Sequence, residues 1–175
     1  MMPPSSNPYF LAAGACFALA GAACDLRSRR IPNRLTGAAL LAALAGNTGM
    51  DGVRGLIASL AACLVAGAVF SIMFFMGGMG GGDVKLMAAI AAFAGLSHLP
   101  QLLLATALAG GVFAVAVSAA YGRLGATLRS AFGCLWPFRR RAVEEPAEAA
   151  RLYLPYGVPI AIGALLTFGS EVLAS

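Results

Sequence analysis

Residues 53–76, "VRGLIASLAACLVAGAVFSIMFFM", form a long apolar run that decides what kind of fold this chain can have. A run of roughly 20 apolar residues is long enough to cross the hydrocarbon core of a bilayer as a helix. The composition agrees, because 60% of the 175 residues are hydrophobic and only 11% are charged. An ordinary soluble domain has about 25% charged residues. We therefore predict an integral membrane protein.

Six apolar runs follow one another along the chain, at about 9–24, 32–48, 53–76, 84–97, 101–121 and 156–174. Each is predicted to be a helix, because lipid offers no partners for open backbone groups. The second and fourth runs are short for a complete span. The prediction is an all-α, polytopic protein with about six transmembrane helices, in a single membrane domain over residues 1–175.

The basic residues predict how these helices are oriented. If the runs are alternating spans, eleven of the twelve Lys and Arg residues fall on one side, and only Arg54 falls on the other. By the positive-inside rule the basic side is cytoplasmic, so both termini are predicted on the outer, periplasmic side. The net charge of +5 then reflects topology, and nucleic-acid binding is not expected.

The longest cytoplasmic loop is predicted at about 122–155. Four apolar residues recur there at helical spacing, namely Leu124, Leu128, Phe132 and Leu135. Aromatic residues and three arginines follow, so residues 124–141 are predicted to lie in the membrane interface and to contact anionic lipid. A solvated, positively charged loop is the alternative interpretation.

Two carboxylates adjoin the predicted helices on the cytoplasmic side. Asp25 ends the first run and Asp83 begins the fourth. Two facing carboxylates can share a proton, and one can activate a water molecule while the other acts as an acid. Each also has a structural interpretation: Asp83 could cap a helix that begins at Val84, and Asp25 could be a solvated residue among arginines. The composition also allows an ion-coupled membrane transporter or a non-catalytic membrane scaffold.

The glycine-rich stretch 77–82 precedes Asp83. Because glycine has no Cβ and permits close approach, these residues could pair with an extended substrate as an added strand, or they could form a flexible connector. Lys85 is predicted either to anchor the helix at the interface or to lower the cost of an ionised Asp83. Asn33 is expected to bond the backbone near Asp25. The candidate residues for shaping the site or binding the substrate are Gly80, Gly81, Gly82, Lys85 and Asn33.

No metal site and no cofactor are expected. The four cysteines form no CxxC pair, so neither a zinc site nor a redox motif is indicated. His98 is the one histidine of the chain, and it is predicted to lie on the outer side, away from both aspartates.

Three motifs together carry a resemblance to a known family. Residues 80–85, "GGGDVK", fit a GxGDxK pattern; residues 25–33 read "DLRSRRIPN"; and residues 154–166 read "LPYGVPIAIGALL". In this order, on a six-helix frame, they resemble the type IV prepilin peptidase family, the GxGD aspartic proteases of bacterial inner membranes.

The resemblance implies that Asp25 and Asp83 are the catalytic pair. It implies a prepilin-like substrate with a basic leader and one hydrophobic helix, cut at the cytoplasmic face in support of pilus assembly or secretion. Long family members carry CxxC pairs and also methylate the new N-terminus. This chain lacks the pairs and is similar to the short peptidases for Flp-type, tight-adherence pilins, so methyltransferase activity is not expected.

Overall fold

The structure, a computed structural model, describes residues 7–76, 79–120 and 156–174. The regular structure of these residues is entirely helical, in α1 (Pro8–Ser28), α2 (Asn33–Phe75), α3 (Gly81–Ala120) and α4 (Gly157–Ala174). The predicted all-α class is therefore confirmed for this part of the chain. The predicted loop at 122–155, including the segment 124–141, lies outside the described residues.

Two glycines break the two long helices. Gly52 (φ 60°, ψ −139°) interrupts α2, and Gly95 (φ 63°, ψ −178°) interrupts α3. Side-chain-bearing residues rarely adopt either conformation. The breaks leave six helical segments among the described residues: α1, 33–51, 53–75, 81–94, 96–120 and α4. They correspond to the six predicted runs, although the predicted boundary at 97–101 moves to Gly95, where the backbone can turn.

The break at Gly52 reverses the direction of the chain. Asn47 Nδ2 and Ser59 Oγ are 3.3 Å apart, whereas residues twelve positions apart in a straight helix are separated by about 18 Å. The two parts of α2 are therefore antiparallel neighbours.

Contacts between the other segments give their relative directions. The pairs are Phe10 with Gly46, Gly14 with Phe93 and Phe168, Gly67 with Ala88, Gln101 with Ser170, and Gly110 with Pro159. These pairs require consecutive segments to run in opposite directions. Residues near positions 25, 33, 83 and 157 consequently lie at one end, and those near 47, 95 and 171 lie at the other.

The contacts of the chain divide it into two units, Met1–Gly110 with Pro155–Ser175, and Gly111–Leu154. The directions given above belong to the first unit. Of the second unit, the structure describes only residues 111–120, the end of α3.

The surface of the first unit is apolar and its interior contains polar groups. Three described helices are long and apolar enough to cross a membrane, Tyr9–Ser28, Asn33–Phe75 and Gly81–Val117, and Gly157–Glu171 is a shorter apolar helix. Large side chains such as Leu41, Leu64 and Leu108 are mostly exposed. Half of the 24 buried hydrophobic residues in the described core are alanines, which allow close packing between membrane helices. The structure thus supports a membrane protein.

A buried cluster of polar groups connects the helix break at Gly52 with the one at Gly95. The carbonyl of Ala92 lies three residues before the break at Gly95. Asn47 Nδ2 donates to this carbonyl at 2.9 Å and Ser59 Oγ donates at 2.7 Å. Asn47 and Ser59 come from opposite sides of the Gly52 break, so one carbonyl joins three helical segments.

We expect Asn47→Ala to destabilise the folded protein by about 1–3 kcal/mol, because it removes a donor from a buried carbonyl. Thermal unfolding in detergent measures this change. Thr48→Ala is the matched control, since Thr48 is exposed and, among the described residues, its hydroxyl bonds its own helix at the Leu44 carbonyl. Equal melting temperatures for the two variants would contradict this role for Asn47.

Candidate active site

Asp25 is held inside the bundle at the end of α1. Its side chain is fully buried, and its backbone carbonyl accepts the Arg29 amide at 2.8 Å. Arg29 has a left-handed conformation (φ 51°), which ends the helix and turns the chain toward Ile31. Burial excludes the interpretation of Asp25 as a solvated helix-end residue.

Asp83 is the third residue of α3 and closes the first turn of that helix. Its Oδ2 accepts the Gly80 amide at 3.2 Å, while its own amide donates to the Gly80 carbonyl at 3.1 Å. The bond from the Gly80 amide to the Asp83 carboxylate is one half of a capping box, and the backbone carbonyl of Gly80 takes the place of the side chain that would complete it. Asp83 Oδ1 is buried and has no hydrogen-bond partner among the described residues. One carboxylate oxygen therefore stabilises the helix and the other remains available.

The beginning of α3 corrects two expectations. The helix begins at Gly81 rather than at Val84, because Asp83 caps it from inside the first turn. Gly81 and Gly82 are consequently helical and do not form an extended edge, and only Gly80 lies outside the helix. At Gly82 a Cβ would lie 3.3 Å from the Cβ of Ile31, so this glycine allows α3 to approach the α1–α2 connection closely. The first glycines of the stretch, at positions 77 and 78, lie outside the described residues.

The first residue of α4 completes the surroundings of Asp25. The Gly157 amide donates to Asp25 Oδ2 at 3.1 Å, and Tyr156, just before the helix, lies close enough to Asp83 to interact electrostatically. Sequence reasoning did not select either residue. The signal was present in "YGVPI", since a proline two residues after a glycine indicates a helix start, and helix starts attract carboxylates.

The structure brings Asp25 and Asp83 within electrostatic range of each other, although 58 positions separate them in the sequence. They lie at the same end of the first unit, where α1 ends and α3 and α4 begin. Two buried carboxyl groups in this arrangement can serve as an acid and a base for one reaction.

Lys85 and Asn33 contact each other rather than the carboxylates. Lys85 Nζ donates to Asn33 Oδ1 at 2.9 Å, so the Asn33 oxygen accepts from α3. Lys85 lies two positions beyond Asp83, which places it on another face of the helix. The pair borders a groove of about 280 Å³ lined by Asn33, Thr36, Gly37, Leu40, Lys85, Ala88 and Ala89.

The opposite end of the unit carries a separate polar contact. His98 Nδ1 lies 3.4 Å from Glu171 Oε1, and Gln101 donates to Ser170 at 2.9 Å. His98 is therefore far from both aspartates. In the part of the chain that the structure describes, no three His, Cys, Asp or Glu side chains are grouped as a metal ion would require.

The fold and the site define the class of this protein: a bundle of membrane-type helices that holds two buried carboxyl groups at one end. The chain belongs to the type IV leader peptidase family, whose model matches residues 12–115, more than half of the sequence and including Asp25 and Asp83. The resemblance predicted from the motifs is thereby confirmed.

A curated relative agrees with this assignment. The chain is 38% identical over 71 residues to a prepilin leader peptidase/N-methyltransferase of Neisseria gonorrhoeae. The match covers 41% of this chain and 25% of that protein, so the chain spans about a quarter of its relative. No solved structure matches the chain.

Proposed function

We propose that this protein is an aspartic endopeptidase whose catalytic groups are Asp25 and Asp83. The observation that carries the proposal is the meeting of these two buried carboxyl groups, from distant parts of the chain, at one end of the bundle. Capping of α3 accounts for the hydrogen bond of Asp83 Oδ2, but it gives no role to the buried Oδ1, which has no partner in the described residues. A scaffold would have no use for two acids buried together, because burying them is costly.

The pair can hydrolyse a peptide bond without a covalent intermediate. One carboxylate removes a proton from water as the oxygen attacks the scissile carbonyl carbon. The other carboxyl group protonates the carbonyl oxygen, and the same two groups then assist the departure of the amine. Their burial strengthens these interactions, since few competing water molecules surround them.

The proposed substrate is a prepilin-like precursor with a short basic leader and one hydrophobic helix, of the Flp type. We place the six helical segments across the bacterial inner membrane, with both termini outside and the site on the cytoplasmic side. The alternating directions of the segments support this topology, and the exposed arginines that follow Asp25 lie at the same end as the site. Cleavage there would support pilus assembly or secretion.

The test uses the full chain in lipid vesicles with a candidate Flp-type precursor. We expect a shortened product on gel electrophoresis and by mass spectrometry. The reaction should continue at an undiminished rate in the presence of a chelator, because the proposed chemistry needs two carboxyl groups and water. Loss of cleavage on chelation, with recovery on adding back a divalent metal, would contradict the mechanism.

A further inference from the structure

The two carboxyl groups differ in their surroundings. Asp25 Oδ2 accepts the Gly157 amide, whereas Asp83 Oδ1 is buried with no hydrogen-bond partner in the described ranges. Resting on the proposed peptidase function, we propose that these surroundings fix the roles of the pair. Asp25 is the ionised base that activates water, the Gly157 amide positions it, and Asp83 carries the proton and acts as the acid.

The start of α4 favours an ionised Asp25. The first amide groups of a helix have no partner within it and carry partial positive charge. A carboxylate that accepts such an amide is stabilised in its ionised form. The negative end of the dipole of α1 opposes this effect, whereas the positive charges of Arg27, Arg29 and Arg30, within five residues of Asp25, act in the same direction as the amide.

Gly157 packs tightly against α1 at this contact. A Cβ there would lie 3.0 Å from Asp25 Cβ and 3.1 Å from Ala22 Cα. An alanine there would require its neighbours to give by a few tenths of an ångström, which leaves the amide facing the carboxylate.

The surroundings of Asp83 favour the protonated form. Its place in the first turn of α3 and the Gly80 amide at Oδ2 act toward ionisation, but ionisation would also leave charge on Oδ1, a buried oxygen without a partner in the described residues, which is unfavourable. The charged and titratable groups that face Asp83 in the described residues are Asp25 and Tyr156, and a negative Asp25 favours a neutral neighbour. Lys85, on the same helix, is directed to Asn33.

These roles give a balanced reaction. Asp25 accepts a proton from water, the water oxygen bonds to the carbonyl carbon, and Asp83 gives its proton to the carbonyl oxygen. In the collapse of this tetrahedral diol, Asp25 gives its proton to the leaving nitrogen as the C–N bond breaks. Asp83 recovers a proton from one hydroxyl of the diol. Both groups return to their starting states.

Infrared spectroscopy of the protein in lipid vesicles at about pH 6, where exposed carboxyl groups are still ionised, tests the assignment without substrate and independently of cleavage. We expect a carboxylic-acid C=O band in the wild type that Asp83→Asn removes and Asp25→Asn retains. Exposed acids are ionised at this pH and give no such band. Two results would overturn the proposal. One is loss of the band in Asp25→Asn, whether or not Asp83→Asn also loses it. The other is retention of the band in both variants.

A second experiment tests the Gly157 amide through Gly157→Ala and Gly157→Pro. Both variants add a Cβ at the same place, but only proline removes the amide hydrogen, and proline suits the first position of a helix. We expect kcat of the proline variant to be about tenfold below that of the alanine variant, with similar KM, as for one lost hydrogen bond.

The acidic limb of the kcat/KM profile should also move to higher pH in the proline variant only, because Asp25 loses a donor that favours its ionised form. Identical kcat values and profiles for the two variants would overturn the role of the amide. If the proline variant does not fold, the infrared experiment still decides the roles. If the wild type cleaves no precursor, the peptidase proposal fails while the infrared result stands by itself.

Discussion

Asp25→Asn and Asp83→Asn are each expected to reduce prepilin cleavage by at least about 1000-fold, as removal of a catalytic group does in other proteases. Each substitution keeps the size of the side chain and removes its ability to exchange a proton. Because the amide does not add a buried charge, both variants should insert into the membrane and fold like the wild type. The measurement is the rate of precursor shortening at equal amounts of folded protein.

Asp51→Asn is the matched control for these variants. Asp51 is exposed and lies beside the Gly52 break, at the end of the first unit opposite to the candidate site. We expect this variant to cleave at the wild-type rate. Near-full activity in either Asp25→Asn or Asp83→Asn would show that the two residues do not act as a catalytic pair.

Gly163→Ala is expected to destabilise the protein by about 1–3 kcal/mol, the usual cost of overpacking a close contact. A Cβ at position 163 would lie 2.8 Å from both the backbone nitrogen and the Cα of Thr106. Because backbone atoms cannot move aside as a flexible side chain can, α4 must shift away from α3. The melting temperature in detergent measures the loss.

The same substitution should lower activity, although position 163 lies far from the carboxylates. Gly157 begins the same helix and donates to Asp25, so displacement of α4 disturbs the site. Gly169→Ala is the control on this helix, since a Cβ there meets no atom within 4 Å. A Gly163→Ala variant as stable and as active as Gly169→Ala would contradict the tight packing of α3 against α4.

The candidate site includes the start of α4 in addition to the two motifs that carry Asp25 and Asp83. Asp25 and the GxGDxK segment belong to the stretch matched by the family model, residues 12–115, whereas Gly157 lies beyond it. The site nevertheless depends on Gly157, which approaches α1 closely enough to touch the carboxylate. Variation near the start of α4 should therefore affect catalysis as well as folding.

Much of the candidate site could be predicted from the sequence because its signals are local. Asp25 and Asp83 stand out as acids beside apolar runs, and the resemblance assigns them to one pair. The role of Gly81 and Gly82 was harder to predict, because glycine suits both an extended edge and a close helix contact. The capping bond from Gly80 to Asp83 decides between these alternatives, and composition cannot reveal such a bond.

The sequence by itself determined the helical, membrane-type character of this protein, its six apolar segments and its candidate acid pair. These properties follow from the hydrophobicity and the residue types of each segment, which do not depend on how the segments pack. The tertiary structure decided which groups surround the carboxyl groups: the Gly157 amide reaches Asp25 across 132 positions, and Lys85 pairs with Asn33 across 52. Such contacts depend on how the helices pack, because that packing alone brings distant polar atoms within hydrogen-bond distance.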